Sequence, residues 1–234
     1  MDDELDIQPW PVLELIGRAV ALGSVARRGL LEVDDELDLF AKETDRFELS
    51  TWARTELPNW ITDAELAALN TSIGELTEEQ MLLADEALYA VGAMAWALRG
   101  VPDEFIPMPD TPEFMAAVLN WIPTPWDKVR QLQKRVRLRS DQDLADERER
   151  MELWYWRGSQ EITADDLAEV VAEIDEADLI STLEGDLAAG GVPFGSLSED
   201  DQDDLTWIAE QRLRALNWVC GFGESWESAP LDIG

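Results

Sequence analysis

Apolar residues recur at helical spacing along almost the whole chain, and this pattern constrains the fold more than any other feature of the sequence. No stretch alternates apolar and polar residues for long enough to predict a strand. We therefore predict an all-α fold with no sheet, an irregular orthogonal bundle of about eight to nine helices. The predicted helices cover residues 12–31, 35–57, 63–73, 78–99, 112–121, 126–138, 141–157, 164–189 and 199–220, and the helix 164–189 is either continuous or broken near Gly185.

Short polar motifs indicate where several of these helices begin. Thr62 and Thr77 are each followed three residues later by Glu or Gln, the spacing of a capping box. Thr111 precedes Pro112, which suits an N-cap residue followed by proline at the first helical position. Helix ends are predicted at Gly100, Gly158, Gly190-Gly191 and Gly221.

One segment interrupts the helical pattern. Residues 101–125 contain six of the 11 prolines. We expect a single helical domain, 1–234, in which this segment is either a rigid crossing or a hinge between an N-terminal half, 1–100, and a C-terminal half, 126–234.

The composition limits the chemistry that the chain can perform. It has no histidine, so imidazole bases, Ser-His or Cys-His nucleophiles and histidine metal sites are excluded. The 51 acidic and 18 basic residues give a formal charge of −33, which repels nucleic acids and anionic lipids. We therefore expect no nucleic-acid partner, no cofactor and no metal, and self-repulsion favours a monomer.

The single cysteine, Cys220, cannot form a disulfide within the chain. The first residues are acidic where an export signal is basic, and the cleanest uncharged run, 87–98, is shorter than the roughly 20 residues of a membrane span. The sequence therefore predicts a cytoplasmic protein that does not associate with membranes.

A basic segment stands out against the acidic background. Between residues 126 and 139 six basic side chains accompany one acid, and the next helix is strongly acidic. This charge contrast predicts either an electrostatic clamp between neighbouring helices or an anion site, for which arginine is geometrically suited. The candidate anion patch comprises Lys128, Arg130, Lys134, Arg135 and Arg137.

The last predicted helix carries polar residues on its apolar side. Arg212 interrupts the apolar stripe and Asn217 lies close to it, so both need buried partners. The helix contains the pattern Glu-x-Arg-x-x-Ala-Leu-Asn-Trp (210–218), and it is followed by Trp226-Glu227 and Leu231-Asp232. An Arg139-Ser140 pair opens the acidic helix before it.

These motifs, together with the segment Glu86-Ala87-Leu88 to Trp96-Ala97-Leu98, resemble the bacterial family called domain of unknown function 4272. The resemblance extends over most of the chain and is most specific after residue 135. Glu227 and Ile233 depart from the family pattern, which has Asp and Thr at these positions. The family has no established activity, so the resemblance implies a helical fold and little about function.

The resemblance also implies which residues meet. A polar cluster is expected where the tail folds back on the bundle, either as a structural network that locks the C-terminus or as a ligand site. The cluster comprises Arg139, Ser140, Asp143, Arg212, Asn217, Trp218, Trp226 and Asp232.

Three functional hypotheses follow, and the first is favoured. The chain is a non-catalytic acidic interaction protein of the inhibitor, immunity or adaptor type that binds a basic protein partner. Alternatively, it is a small-ligand or carboxylate-metal enzyme that uses Arg139, Arg212, Asn217 and Asp232. In the third hypothesis the acidic surface is only an adaptation to salt. No residue is assigned a catalytic role, although enzymatic activity is left open.

Overall fold

The structure, a computed structural model, describes residues 7–177 and 179–231. These residues are mainly α-helical, with nine α-helices and three short strands. The elements in chain order are α1 (Val12–Val33), α2 (Leu39–Glu56), α3 (Asp63–Asn70), α4 (Glu78–Ala97), α5 (Pro112–Trp121), α6 (Val129–Leu132), α7 (Asp141–Ser159), α8 (Ala164–Ala177), β1 (Thr182–Leu183), β2 (Asp186–Ala189), β3 (Val192–Pro193) and α9 (Glu199–Val219).

Four long helices, α1, α4, α7 and α9, form the centre of the fold. α4 packs against both α1 and α9, and α9 also packs against α7. Small residues permit these close approaches: Gly29 of α1 lies against Ala84 of α4, and a side chain at Gly158 of α7 would overlap Thr206 of α9. One apolar core joins residues from both sides of the proline-rich segment, which itself contributes Ile106 and Phe114.

Three of the predicted helix starts, those after Thr62, Thr77 and Thr111, are confirmed at atomic detail. Thr62 and Thr77 both form reciprocal capping boxes, which satisfy backbone N–H groups that lack a partner within the helix. The Thr111 side chain accepts from the N–H of Phe114, and Pro112 occupies the first helical position. The α2 helix begins at Leu39, later than predicted, because the Asp38 side chain accepts from the N–H of Ala41 and caps the helix there.

The prediction of a fold with no sheet is wrong in detail. Residues 182–193, expected within the helix 164–189 and just beyond it, form a small antiparallel sheet of order β1-β2-β3. Two-residue turns connect its strands, and both residues of each turn have positive φ: Glu184 (54°) and Gly185 (81°), then Gly190 (59°) and Gly191 (84°). Such turns match the twist of a hairpin. Glycine therefore decides the local structure here, against the helical spacing of the apolar residues.

The basic segment is the second departure from the predicted helices. Instead of a helix over 126–138, only α6 (Val129–Leu132) forms. Arg130 and Lys134, four residues apart, would repel each other along a helix. The chain must also reach α4, where the N–H of Arg139 donates to the carbonyl of Ala97 at 2.9 Å.

Candidate functional site

Arg139, Ser140 and Asp143 meet where α7 begins beside the end of α4. Ser140 caps α7 and forms a capping box with Asp143. The Arg139 guanidinium stacks on Trp96, 4.2 Å from the ring centroid, and donates to the carbonyls of Trp96 (2.9 Å) and Asp103 (2.5 Å). These contacts fasten α7 and the loop after α4 to each other.

Arg212 lies elsewhere in the core. Its guanidinium forms an ion pair with Asp110, and it donates to the carbonyl of Pro107 at 2.9 Å. The Arg212 residue has no exposed surface, and the Asp110 side chain is 16% exposed. Burial raises the pKa of the Asp110 carboxyl, and the neighbouring Arg212 opposes this effect. Arg212 therefore fastens α9 to the proline-rich segment.

Asn217, Trp218 and Trp226 form a third group at the C-terminal tail. The Asn217 side chain accepts from Nε of Arg148 at 2.7 Å and donates to the carbonyl of Pro230 at 2.9 Å. Trp218 meets Trp226 edge to face, with 5.7 Å between the ring centroids. Asn217 is fully buried, so it links α7 and the tail to α9 from inside the molecule.

The described residues of the expected polar cluster thus form three groups with different partners. Seven of the eight expected residues lie in the described part of the chain, and Asp232 lies outside it. The family resemblance indicated that these side chains interact across the fold, but the spacing along α9 separates Arg212 from Asn217. The contacts of all three groups join one structural element to another.

Replacing Asn217 by alanine should release the tail. The change leaves Nε of Arg148 and the Pro230 carbonyl without their partner, at a cost of about 1–3 kcal/mol for each buried group. We expect residues 221–231 to become sensitive to proteases, which limited proteolysis with mass spectrometry will detect. Asn120→Ala, at an exposed position on α5, is the control. Equal protection of the tail in wild type and Asn217→Ala would contradict this role.

The basic side chains of the candidate anion patch have different partners. Lys128 donates to Glu56 of α2 at 2.9 Å, and Arg137 donates to the carbonyl of Val136 at 2.7 Å. Among the described residues no ion pair joins the patch to α7, so its contacts are not those of the expected clamp. Lys128 and Arg135 line a cavity of about 230 Å³ that also contains Asp127.

Glu147 was not singled out in the sequence, yet it has the most perturbed carboxyl in the core. It is fully buried in α7, accepts from the N–H of Ile106 at 3.2 Å and pairs with Arg150 at 2.8 Å. Burial raises its pKa to about 7, although Arg150 and the Ile106 N–H favour the charged form. An acidic residue in an acidic helix gives no signal in the sequence that it will be buried.

The start of α2 has an unusual distribution of apolar side chains. Phe40 and Phe47 are seven residues apart and share one face of α2, opposite the buried Leu49 and Ala53. They are 83% and 62% exposed. With exposed apolar residues at the end of α1, in the connection and at the start of α2, they form what we call the α2 apolar face: Val33, Leu37, Leu39, Phe40 and Phe47.

Acidic side chains accompany this face. Segment 32–48 contains eight acidic and two basic residues, and six of the acids form no ion pair with any described residue: Asp34, Asp35, Glu36, Asp38, Asp45 and Glu48. Asp45 and Glu48 line a cavity of about 400 Å³ on the flank of α2, bounded across from them by Leu30 and Leu31 of α1. The seven-residue spacing of the phenylalanines was a signal of this face that the sequence analysis missed.

The described residues contain no group of three or more side chains able to hold a metal ion. Burial raises the pKa of the Cys220 thiol to about 12, which makes its thiolate a minor species. None of the described helices has the length and apolar character needed to cross a bilayer.

Comparison with protein-family models finds no matching family, and comparisons with curated proteins and with solved structures find no match. The resemblance to domain of unknown function 4272 therefore stays a prediction. The function is therefore inferred from the exposed side chains and the buried contacts of this chain.

Proposed function

We propose that the chain is a non-catalytic interaction protein, of the inhibitor, immunity or adaptor type, that binds a basic protein partner through the α2 apolar face. The observation that carries this proposal is the exposure of two phenylalanines on the side of α2 that faces away from the core, within a strongly acidic segment. The same surface offers both apolar contact and charge.

The apolar part of the surface supplies binding energy. Six of the eleven exposed large apolar residues in the described chain lie between positions 30 and 47. Such concentration is unusual for a free surface and typical of an interaction site. Burying a phenylalanine side chain contributes about 1.5–3 kcal/mol of favourable free energy, so a partner that buries Phe40 and Phe47 gains binding free energy from both.

The charged part of the surface selects the partner. The six acids without an ion pair fit a segment that carries lysine or arginine beside apolar residues, such as a basic amphipathic helix. A second copy of this chain would bring acids against acids, which costs binding energy. Binding to a basic partner should therefore weaken as salt shortens the Debye length from about 10 Å at 0.1 M.

The core supports a non-catalytic role. The enzyme hypothesis needs Arg212 and Asn217 to meet a substrate, yet neither residue has exposed surface. Their hydrogen-bonding groups contact Asp110, the Pro107 carbonyl, Arg148 and the tail. A substrate would reach them only if the core opened.

The proposal is tested by affinity purification of the tagged protein from its native lysate at about 0.1 M and about 1 M salt. Phe40→Ser with Phe47→Ser removes the apolar contact without touching a buried residue. We expect a basic partner to accompany wild type at low salt and to be lost both at high salt and from this double variant.

The matched control changes two exposed apolar residues on the small sheet, Leu183→Ser with Val192→Ser. It should retain the partner. A partner that stays with the Phe40/Phe47 variant, a complex unaffected by salt, or no specific partner at all would count against the proposal.

A further inference from the structure

A second cavity lies on a different part of the surface, between the start of α1, the turn before α3 and the C-terminal tail. Its volume is about 340 Å³. Four of the 11 tryptophans line it: Trp10, Trp60, Trp218 and Trp226. Three glutamates also line it, Glu14, Glu224 and Glu227. The function proposed above makes no use of this cavity.

The indoles are held in fixed orientations. Trp10 stacks on Trp218 with 6.0 Å between the ring centroids, and Trp226 meets Trp218 at an interplanar angle of 82°. Nε1 of Trp60 donates to Glu14 at 2.8 Å, and its ring lies against Gly17, where a side chain would displace it. These contacts hold the rings that line the cavity at fixed angles to their neighbours.

The electrostatics of the cavity favour a cation. Its one basic residue, Arg18, stacks on Trp226 at 4.6 Å from the ring centroid, which shows that this ring accepts a positive charge. Arg18 is neutralised by its buried ion pair with Glu65. Glu224 and Glu227 are exposed and form no ion pair with any described residue, so the cavity rim is negative.

We propose that this cavity binds an alkylated ammonium group. Several tryptophan rings with carboxylates at the rim are the arrangement that recognises quaternary ammonium, because the ring quadrupole attracts a cation that water hydrates weakly. A free choline-like metabolite and a trimethylated lysine share this chemistry. The volume accommodates either headgroup.

The test measures choline binding to the full chain by calorimetry and by tryptophan fluorescence. The reference ligand is the neutral isostere of choline in which carbon replaces nitrogen. We expect choline to bind about tenfold more tightly than this isostere, because only the cation gains from the rings and the carboxylates. A trimethyllysine peptide measured alongside choline distinguishes a modified protein from a free metabolite as the source of the group.

Variants locate the binding. Trp226→Leu should weaken choline binding about tenfold, whereas Trp226→Phe, which keeps an aromatic ring, should retain most of it. Glu224→Gln with Glu227→Gln should weaken choline binding about threefold or more, because the two changes remove the negative charge of the cavity rim. Both residues are exposed, so the fold should not depend on them. The control, Glu161→Gln with Glu169→Gln, removes the same charge at exposed positions away from the cavity lining.

Three results would overturn the inference. One is equal affinity for choline and the neutral isostere, and another is the absence of binding to choline and to the trimethyllysine peptide. The third is choline affinity that is the same in Trp226→Leu and in the rim variant as in wild type. These results leave the α2 apolar face untouched, so this inference and the proposed function succeed or fail separately.

Discussion

Replacing Arg212 by leucine is expected to lower the free energy of unfolding by about 3–5 kcal/mol, the cost of breaking a buried ion pair from one side. The variant leaves the mostly buried Asp110 carboxyl without its cation, and burial already raises the pKa of that carboxyl. The carbonyl of Pro107 loses its donor as well. The midpoint of urea denaturation measures the loss.

The matched control is Arg214→Leu, two residues further along the same helix. Arg214 pairs with Glu210 at 3.3 Å, but the two side chains are 35% and 28% exposed, so the change should cost about 1 kcal/mol or less. Adding Asp110→Asn to Arg212→Leu removes the unpaired charge and should recover part of the stability. Equal losses in the Arg212 and Arg214 variants would refute the role given to Arg212.

Replacing Glu147 by glutamine should remove a pH dependence of stability of about 3 kcal/mol. The folded chain raises the pKa of this carboxyl from 4.5 to about 7, so the folded state binds the proton more tightly than the unfolded state. The difference corresponds to about 3 kcal/mol at about 1.4 kcal/mol per pH unit. This stabilisation is complete below the unfolded pKa and is lost as the pH rises through about 7.

The measurement is urea denaturation of wild type and Glu147→Gln between about pH 4 and about pH 8. Relative to the variant, wild type should gain stability as the pH falls across this range. Comparison with the variant cancels the general effect of the acidic surface. Glu161→Gln, at an exposed position, should follow wild type at every pH. Parallel curves for wild type and Glu147→Gln would show that the Glu147 pKa is not raised.

Local motifs made much of the fold predictable. Capping boxes at Thr62 and Thr77 fix helix starts through hydrogen bonds between residues three apart, so the sequence alone identifies them. The sheet at 182–193 was missed because apolar spacing was given more weight than the Glu184-Gly185 and Gly190-Gly191 turns. The basic segment was wrongly predicted to be helical over 126–138, because its path depends on a distant contact between Arg139 and α4.

Individual buried polar residues were easier to predict than their partners. Arg212 and Asn217 could be recognised from their positions on the apolar side of a helix, and both are fully buried. Their partners, Asp110 and Arg148, are more than 60 residues away in sequence, and no local pattern connects such pairs. One cluster was therefore expected where the fold builds three separate groups.

The surface was predictable in charge and not in shape. The net charge of −33 pointed to a basic partner, but it did not identify a place on the molecule. Phe40 and Phe47 lie in a helix whose other side is buried, and only the packing of α2 shows which apolar residues face outward. Apolar residues on two opposite sides of one helix are the sequence signal that one apolar side will be exposed.

The most direct test of the account places a photo-crosslinking amino acid at Phe47 in living cells. We predict a covalent adduct with a basic protein from this position and none from Leu183, which is exposed on the small sheet. Charge reversal of Asp45 and Glu48 to lysine in the same chain should abolish the adduct. No adduct at position 47, or the same adduct from position 183, would contradict the claim that the α2 apolar face is where this protein binds its partner.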